Sequence, residues 1–175
     1  LDIMDETYSA GPVAYLGNNT YFNAISETDM DIRDTEIHIS NVAETPLQFS
    51  LNCFVNDRYV SSLIGKSVKV KYNSIAIVGA FKIGLFAYSG TGTDNQIISG
   101  YTGNSPLLNS SWTVVGEQTY EQTENTWNSF SAVVPSGTTR LAVVVYNSVN
   151  QSPQATSIST LKVSTDEQET FEIIE

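Results

Sequence analysis

Apolar and polar side chains alternate with a period of two through most of this chain, which is the signature of strands with one face turned to a core. In residues 36–42, Ile37 and Ile39 point one way while Glu36, His38 and Ser40 point the other. Leu47, Phe49, Leu51, Cys53 and Val55 share a face in the next run. Residues 67–72 place Val68 and Val70 inward and Lys69 and Lys71 outward, and residues 75–78 follow as a further apolar run. In residues 81–88, Phe81, Ile83, Leu85 and Ala87 form one face, but Phe86 and Tyr88 make the other face apolar too. That strand is expected to be covered on both sides. Residues 112–115, 127–134, 141–146 and 157–163 complete the set, and no stretch carries a helical period. The pattern predicts an all-β antiparallel β-sandwich, or jelly roll, with almost no helix.

The connections carry their own signals. The stretch WNSFSAVVPSGTTRLAVVVYN reads as strand, tight turn, strand, with Pro135-Ser136-Gly137-Thr138 as the turn. Proline presets φ at a first central turn position, and glycine soon after lets the backbone reverse. From Ser89 to Ser111 the alternation collapses into SGTGTDNQIISGYTGNSPLLNSS, a loop with one short strand expected at residues 96–98. A loop of this length inside a domain usually has a function or is mobile. Residues 1–30 read as a polar arm or first strand, 31–165 as the sandwich, and 166–175 as an acidic strand or tail. The opening LDIMDE has neither initiator methionine nor a basic-apolar leader, so the chain is expected to be a mature product or a piece of something longer.

Composition narrows the function. At 175 residues and 41% hydrophobic content, one domain can bury a sizeable core without staples. The net charge of −11, with 8 Lys and Arg, argues against nucleic acid, whose binding depends on neutralising phosphates. No apolar run approaches the length needed for membrane insertion by a helix. One cysteine excludes an internal disulfide, and one histidine excludes histidine clusters.

Hydrolytic chemistry finds no support in this pattern. A nucleophilic serine needs a base oriented by a third group. The lone His38 sits mid-strand between isoleucines, and no Gly-x-Ser-x-Gly elbow occurs. Cys53 shares the inward parity of Leu51 and Val55, so a buried, inert thiol is expected. Asp29, Asp31 and Asp34 offer hard oxygens for calcium, yet Arg33 interrupts the run and the glycine and terminal glutamate of an EF-hand loop are missing. The run reads as a solvated acidic turn, with calcium as its one candidate ligand. No other cofactor is expected.

Aromatic rings are the best ligand candidates, because a flat ring stacks on an apolar ligand face while neighbouring amides and carboxylates hydrogen-bond its polar groups. Tyr88, Tyr101, Trp112 and Tyr120 are such rings, with Asp94, Asn95 and Asn104 as polar neighbours. Tyr101, between Gly100 and Gly103, is the leading contact. Trp127, at a strand start, reads as core.

The order GKSVKVKYNSIAIVGAFKIGLFAYSG, then WNSFSAVVPSGTTRLAVVVYN, resembles the galactose-binding-like jelly rolls of the carbohydrate-binding-module superfamily, especially versions fused into bacteriophage tail, fibre and capsid-surface proteins. The pattern falls on Gly65 and Lys66, Leu85 and Phe86, Trp127, Val134-Pro135-Ser136-Gly137, and Leu141 to Tyr146, and covers roughly residues 60–165. No Asn-rich opening strand with an acidic residue stands near residues 1–20. Ser159 and Thr160 take the place of the paired acids that help the family bind a structural calcium.

The resemblance implies a non-enzymatic module on a virion or cell surface, binding cell-surface glycan and acting in many copies. The rival expectation is a structural subunit, such as a capsid decoration or fibre protein, forming a homo-oligomer. Residues 1–20 and the tail TFEIIE would then tie it to neighbouring subunits. A third is an accessory module of a carbohydrate-active enzyme.

Overall fold

The computed structural model describes residues 4–8, 13–32, 36–120, 126–148, 152–165 and 169–172, the first and last of these by backbone alone. Two antiparallel sheets face each other. One contains β1 (Met4–Tyr8), β4 (Thr28–Ile32), β5 (Ile37–Asn41), β14 (Ala155–Ser164), β7 (Ser67–Val78) and β12 (Asn128–Val133), in that order, with β15 (Glu169–Glu172) added to β14. The other runs β11 (Trp112–Tyr120), β8 (Phe81–Tyr88), β13 (Arg140–Asn147), β6 (Phe49–Phe54), β3 (Thr20–Ala24) and β2 (Val13–Gly17). A small hairpin, β9 (Ile98–Thr102) and β10 (Ser105–Leu108), lies apart from both. The fold is the expected all-β sandwich.

Alternation builds the main core between the sheets. Leu51 and Cys53 of β6, Phe81, Ile83 and Leu85 of β8, and Val143 and Val145 of β13 meet Met30, Ile39, Val68, Val70 and Leu161 from the facing sheet. Cys53 is wholly buried, and burial pushes its thiol far above its ordinary value. His38 and Cys53 thus belong to different surroundings: His38 is half-buried, between the inward Ile37 and Ile39.

A second cluster lies on the outer face of the six-stranded sheet. Phe86, Ala142, Val144 and Tyr146 point away from the main core, join Trp112 of β11 and are covered by Ile97 and Ile98. The two-sided burial expected for residues 81–88 is therefore present, and the cover is the chain between β8 and β11. Most of that chain was expected as a plain loop. The hairpin β9–β10 escapes the alternation test because its strands are short and bracket Gly103, which takes φ +61° at the turn.

The Pro135 turn joins two strands that do not pair. β12 pairs with β7, whereas β13 pairs with β6 and β8. β13 is buried almost throughout and already has a neighbour on each side, so no edge is left for β12. The turn instead carries the chain from one sheet to the other. Gly137 (φ +80°) supplies the left-handed residue, and the Thr138 hydroxyl donates to Pro135 O at 2.8 Å.

Four further findings adjust the sequence expectations. A short helix, α1 (Asp57–Leu63), starts where the Asn56 side chain accepts from Arg58 N. Residues 4–32 build four strands shared between the sheets rather than one arm or one strand. β1 pairs with β4 and β15 with β14, so the two segments expected to tie neighbours together pair within the chain. Trp127 is not core but 47% exposed. The reason is parity: Asn128, Phe130 and Ala132 are the more covered positions of β12, which turns Trp127, Ser129 and Ser131 outward.

Candidate functional site

A groove of about 570 Å³ opens at one corner of the six-stranded sheet, where the covering chain leaves its outer face bare. Its walls come from three places: the β2–β3 turn and β3 (Asn19, Tyr21), the end of β6 running into α1 (Phe54, Asn56, Asp57), and the loop after β8 with the start of β13 (Asn95, Arg140).

The aromatic wall is a relay of rings. Tyr15 and Tyr21 stand directly opposite each other across β2 and β3, with centroids 4.9 Å apart. Tyr21 meets Phe54 edge-on at 5.7 Å, Phe54 meets Trp112 at 5.9 Å, and Trp112 meets Tyr88 at 5.0 Å. Tyr15 is 60% exposed at one end, Phe54 and Trp112 are buried in the middle, and Tyr21 and Tyr88 are half-buried. The tight turn that brings the two tyrosines together uses Asn18 (φ 53°) and Asn19 (φ 57°), both left-handed as a type I′ turn requires, after Gly17 (φ 88°).

The polar wall is fixed by Arg140. Its guanidinium sits 4.3 Å from the Phe54 ring centroid and donates to Asp94 O at 2.6 Å and to Asn95 Oδ1 at 2.7 Å. The buried Asn52 holds the same loop from beneath, donating to Asn95 O at 3.2 Å. Thr139 closes the loop from the other side, its hydroxyl 2.7 Å from Gly90 O. Gly90 and Gly92 wrap the Tyr88 hydroxyl, which accepts from Gly92 N at 3.0 Å; a Cβ on Gly90 would meet that oxygen at 2.5 Å. The result is an apolar ring surface beside amide, hydroxyl and guanidinium groups whose positions are set before any ligand arrives.

The residues singled out from sequence fall in several places. Asn95 lines the groove. Asp94 is exposed beside it; its carboxylate accepts from Gln96 N at 2.9 Å. Tyr88 and Trp112 form the layer behind Phe54. Tyr101, half-buried on β9, places its hydroxyl 3.3 Å from Asn147 O and 3.4 Å from Phe49 O, and burial pushes its phenol well above the ordinary range. Asn104 is exposed in the hairpin turn.

Tyr120 is a correction. It is buried in the main core, stacked on Phe81 at 5.9 Å with its hydroxyl 2.7 Å from Thr156 Oγ1, so its ring has no face to offer a sugar. The last position of β11 has inward parity, which the apparently polar segment around it concealed.

Asp29 and Asp31 are also corrected in place. They lie within β4, not in a turn, because Thr28, Met30 and Ile32 are the buried set of a strand. They line a depression of about 260 Å³ with His38 and Ser40. Asp34 lies outside the described residues, and among those described no three acidic, histidine or cysteine side chains gather around one point.

Sequence reasoning missed Tyr15, Tyr21, Phe54 and Arg140. The tyrosines on either side of Gly-Asn-Asn were a partial signal: a two-residue turn alone would set Leu16 opposite Tyr21, and a register shift between Tyr15 and Gly17 brings Tyr15 there instead.

No family model matches the sequence, and no curated protein matches it in sequence. Solved structures do match in three dimensions. A family 4 carbohydrate-binding module superposes with a TM-score of 0.58 at 11% identity, over 86% of this chain and 90% of that one. The first carbohydrate-binding module of BiXyn10A gives 0.49 at 13% identity, over 93% and 90%. The C-terminal family 22 module of Clostridium thermocellum Xyn10B gives 0.45 at 16% identity, over 98% and 84%. At 11% identity the likeness is one of fold: this chain shares the β-sandwich of that family 4 module.

Proposed function

We propose that this domain is a non-catalytic glycan-binding module whose ligand lies in the corner groove, stacked against Tyr21 and Tyr15 and hydrogen-bonded by Asn95, Asn56 and Arg140. The observation that carries the reading is the ring pair of the exposed Tyr15 and the half-buried Tyr21 beside a polar wall held rigid by Arg140. Apolar rings left in solvent next to pre-positioned donors and acceptors suit a sugar, which presents one apolar face and a rim of hydroxyls. The fold shared with a family 4 carbohydrate-binding module supports the same ligand class.

A binding role fits the groove better than catalysis. Among the described residues that line it, Asp57 is the one carboxylate, whereas glycoside hydrolysis uses two that flank the scissile bond. Display in many copies on a virion or cell surface is the setting we propose. There, avidity can exceed the affinity of a single site by roughly two to four orders of magnitude. Attachment as an accessory module beside a catalytic domain requires the same groove.

Affinity electrophoresis through gels containing soluble neutral polysaccharides tests the proposal. Migration of the wild-type chain should be retarded by at least one of them, and Tyr21→Ala and Asn95→Ala should release it without loss of the β-sheet circular dichroism signal. Retardation that persists in both variants would refute the groove as the site.

A further inference from the structure

We infer that the outer face of the seven-stranded sheet holds a second binding site, centred on Trp127, for a polysaccharide bearing carboxylate or sulfate groups. This site is independent of the groove, which lies on the other sheet.

The charge distribution is the first argument. The chain carries −11 with only 8 Lys and Arg, yet three of those cations converge on one patch. Lys69 and Lys71 occupy exposed outer positions of β7. Lys162 of β14 stands directly opposite Lys71 in register. On their other side Lys69 and Lys71 face Ser131 and Ser129 of β12, and Lys69 faces Ser164 of β14. The acid nearest in register is Glu172 of β15, opposite Lys162 on its far side. Like charges directly opposite across two strands destabilise a sheet. Among the described residues, the in-register neighbours of Lys69 and Lys71 on β12 and β14 are three serines and Lys162, not acids.

The ring is the second argument. Trp127 is the largest exposed aromatic of the described residues, at 47%, and it stands among these lysines. Lys71 Nζ lies 4.7 Å from its ring centroid and Lys162 Nζ 6.0 Å. The cations are thus gathered at the ring that would stack a sugar. A uronic acid or sulfated residue supplies both halves of the match, an apolar face for the indole and an anion for the ammonium groups. Nucleic acid also combines flat rings with anions, but its phosphate density calls for many cations. Three lysines on a strongly negative domain favour the sparser charge of an acidic polysaccharide.

The test is binding to polygalacturonate, dextran sulfate, neutral dextran and single-stranded poly(dT), followed by fluorescence of the tryptophans at low and at physiological salt. Either anionic polysaccharide should bind, more weakly as salt rises, and the better of the two identifies the anion. Trp127→Ala and the double variant Lys69→Ser/Lys71→Ser should each weaken that binding about tenfold, with Trp127→Ala read by calorimetry. Tyr15→Ala, at the edge of the groove beside Tyr21, should leave it unchanged. No binding of either polymer at low salt would overturn the inference. So would equal binding of neutral dextran, indifference to the Trp127 and lysine substitutions, or tighter binding of poly(dT).

Discussion

The guanidinium of Arg140 stands 4.3 Å from the centroid of the Phe54 ring while its two terminal nitrogens hold the loop at Asp94 and Asn95. One side chain therefore joins the aromatic and the polar walls of the groove. Lysine cannot reproduce this, because only the planar fork both stacks on a ring and donates in two directions.

Arg140→Ala should cost about 1–3 kcal/mol of stability, from the lost cation–π contact and hydrogen bonds. Hydrogen exchange across residues 90–96 should accelerate, and groove binding should fall. Arg140→Lys should restore less than half of the loss. Differential scanning calorimetry and exchange mass spectrometry read these outcomes.

Trp112, a buried member of the ring relay, and Tyr15, at its exposed end, should separate stability from binding. Trp112→Ala removes a buried ring packed on Phe54 and Tyr88, at a cost of about 3–5 kcal/mol, or roughly 10 °C in Tm. Tyr15→Ala removes a largely exposed ring and should change stability by no more than about 0.5 kcal/mol. Only Tyr15→Ala should weaken glycan binding in a fully folded protein.

Alkali should unfold the domain. Burial pushes the phenol of Tyr72 up to about 12, and those of Tyr101, Tyr120 and Tyr146 higher still. Each raised group contributes stability that is intact below the ordinary tyrosine value near 10 and is lost as pH rises toward the folded-state values. A spectrophotometric titration should show these tyrosines ionising together with the loss of sheet structure, and Tyr72→Phe should shift the transition to higher pH.

Acid should act through Glu117. Partial burial opposes its ionisation, but the Tyr146 hydroxyl and the Lys82 ammonium, 3.0 Å away, hold its carboxyl below the ordinary value. A lowered folded-state value contributes stability above the unfolded value and loses it as pH falls through the folded one. Glu117→Gln should therefore show a flatter stability profile below pH about 4.5 than the wild type, with a modest effect because the pair is partly solvated.

Much of the fold was legible because period-two alternation is a local property. The inward row from Leu47 to Val55, the two-faced burial around Phe86 and the inward Cys53 all follow from parity alone. Partner choice is not local. Nothing in the sequence near Pro135 announces that its two strands belong to different sheets, since that depends on β6 and β8 already flanking β13. The groove was hidden for the same reason: Asn19, Asn56, Asn95 and Arg140 are far apart in the chain and meet only when the sandwich closes. Trp127 and Tyr120 show that parity must be counted from the buried members of each strand and not from the polarity of the surrounding segment.

On the proposed reading, ligand enters the corner groove. Chemical-shift mapping with an oligosaccharide selected from a glycan array addresses it most directly. The amides of Asn19, Tyr21, Phe54, Asn56, Asn95 and Arg140 should shift together and saturate with one dissociation constant. Shifts confined to the β9–β10 hairpin, or none with any glycan on the array, would contradict it.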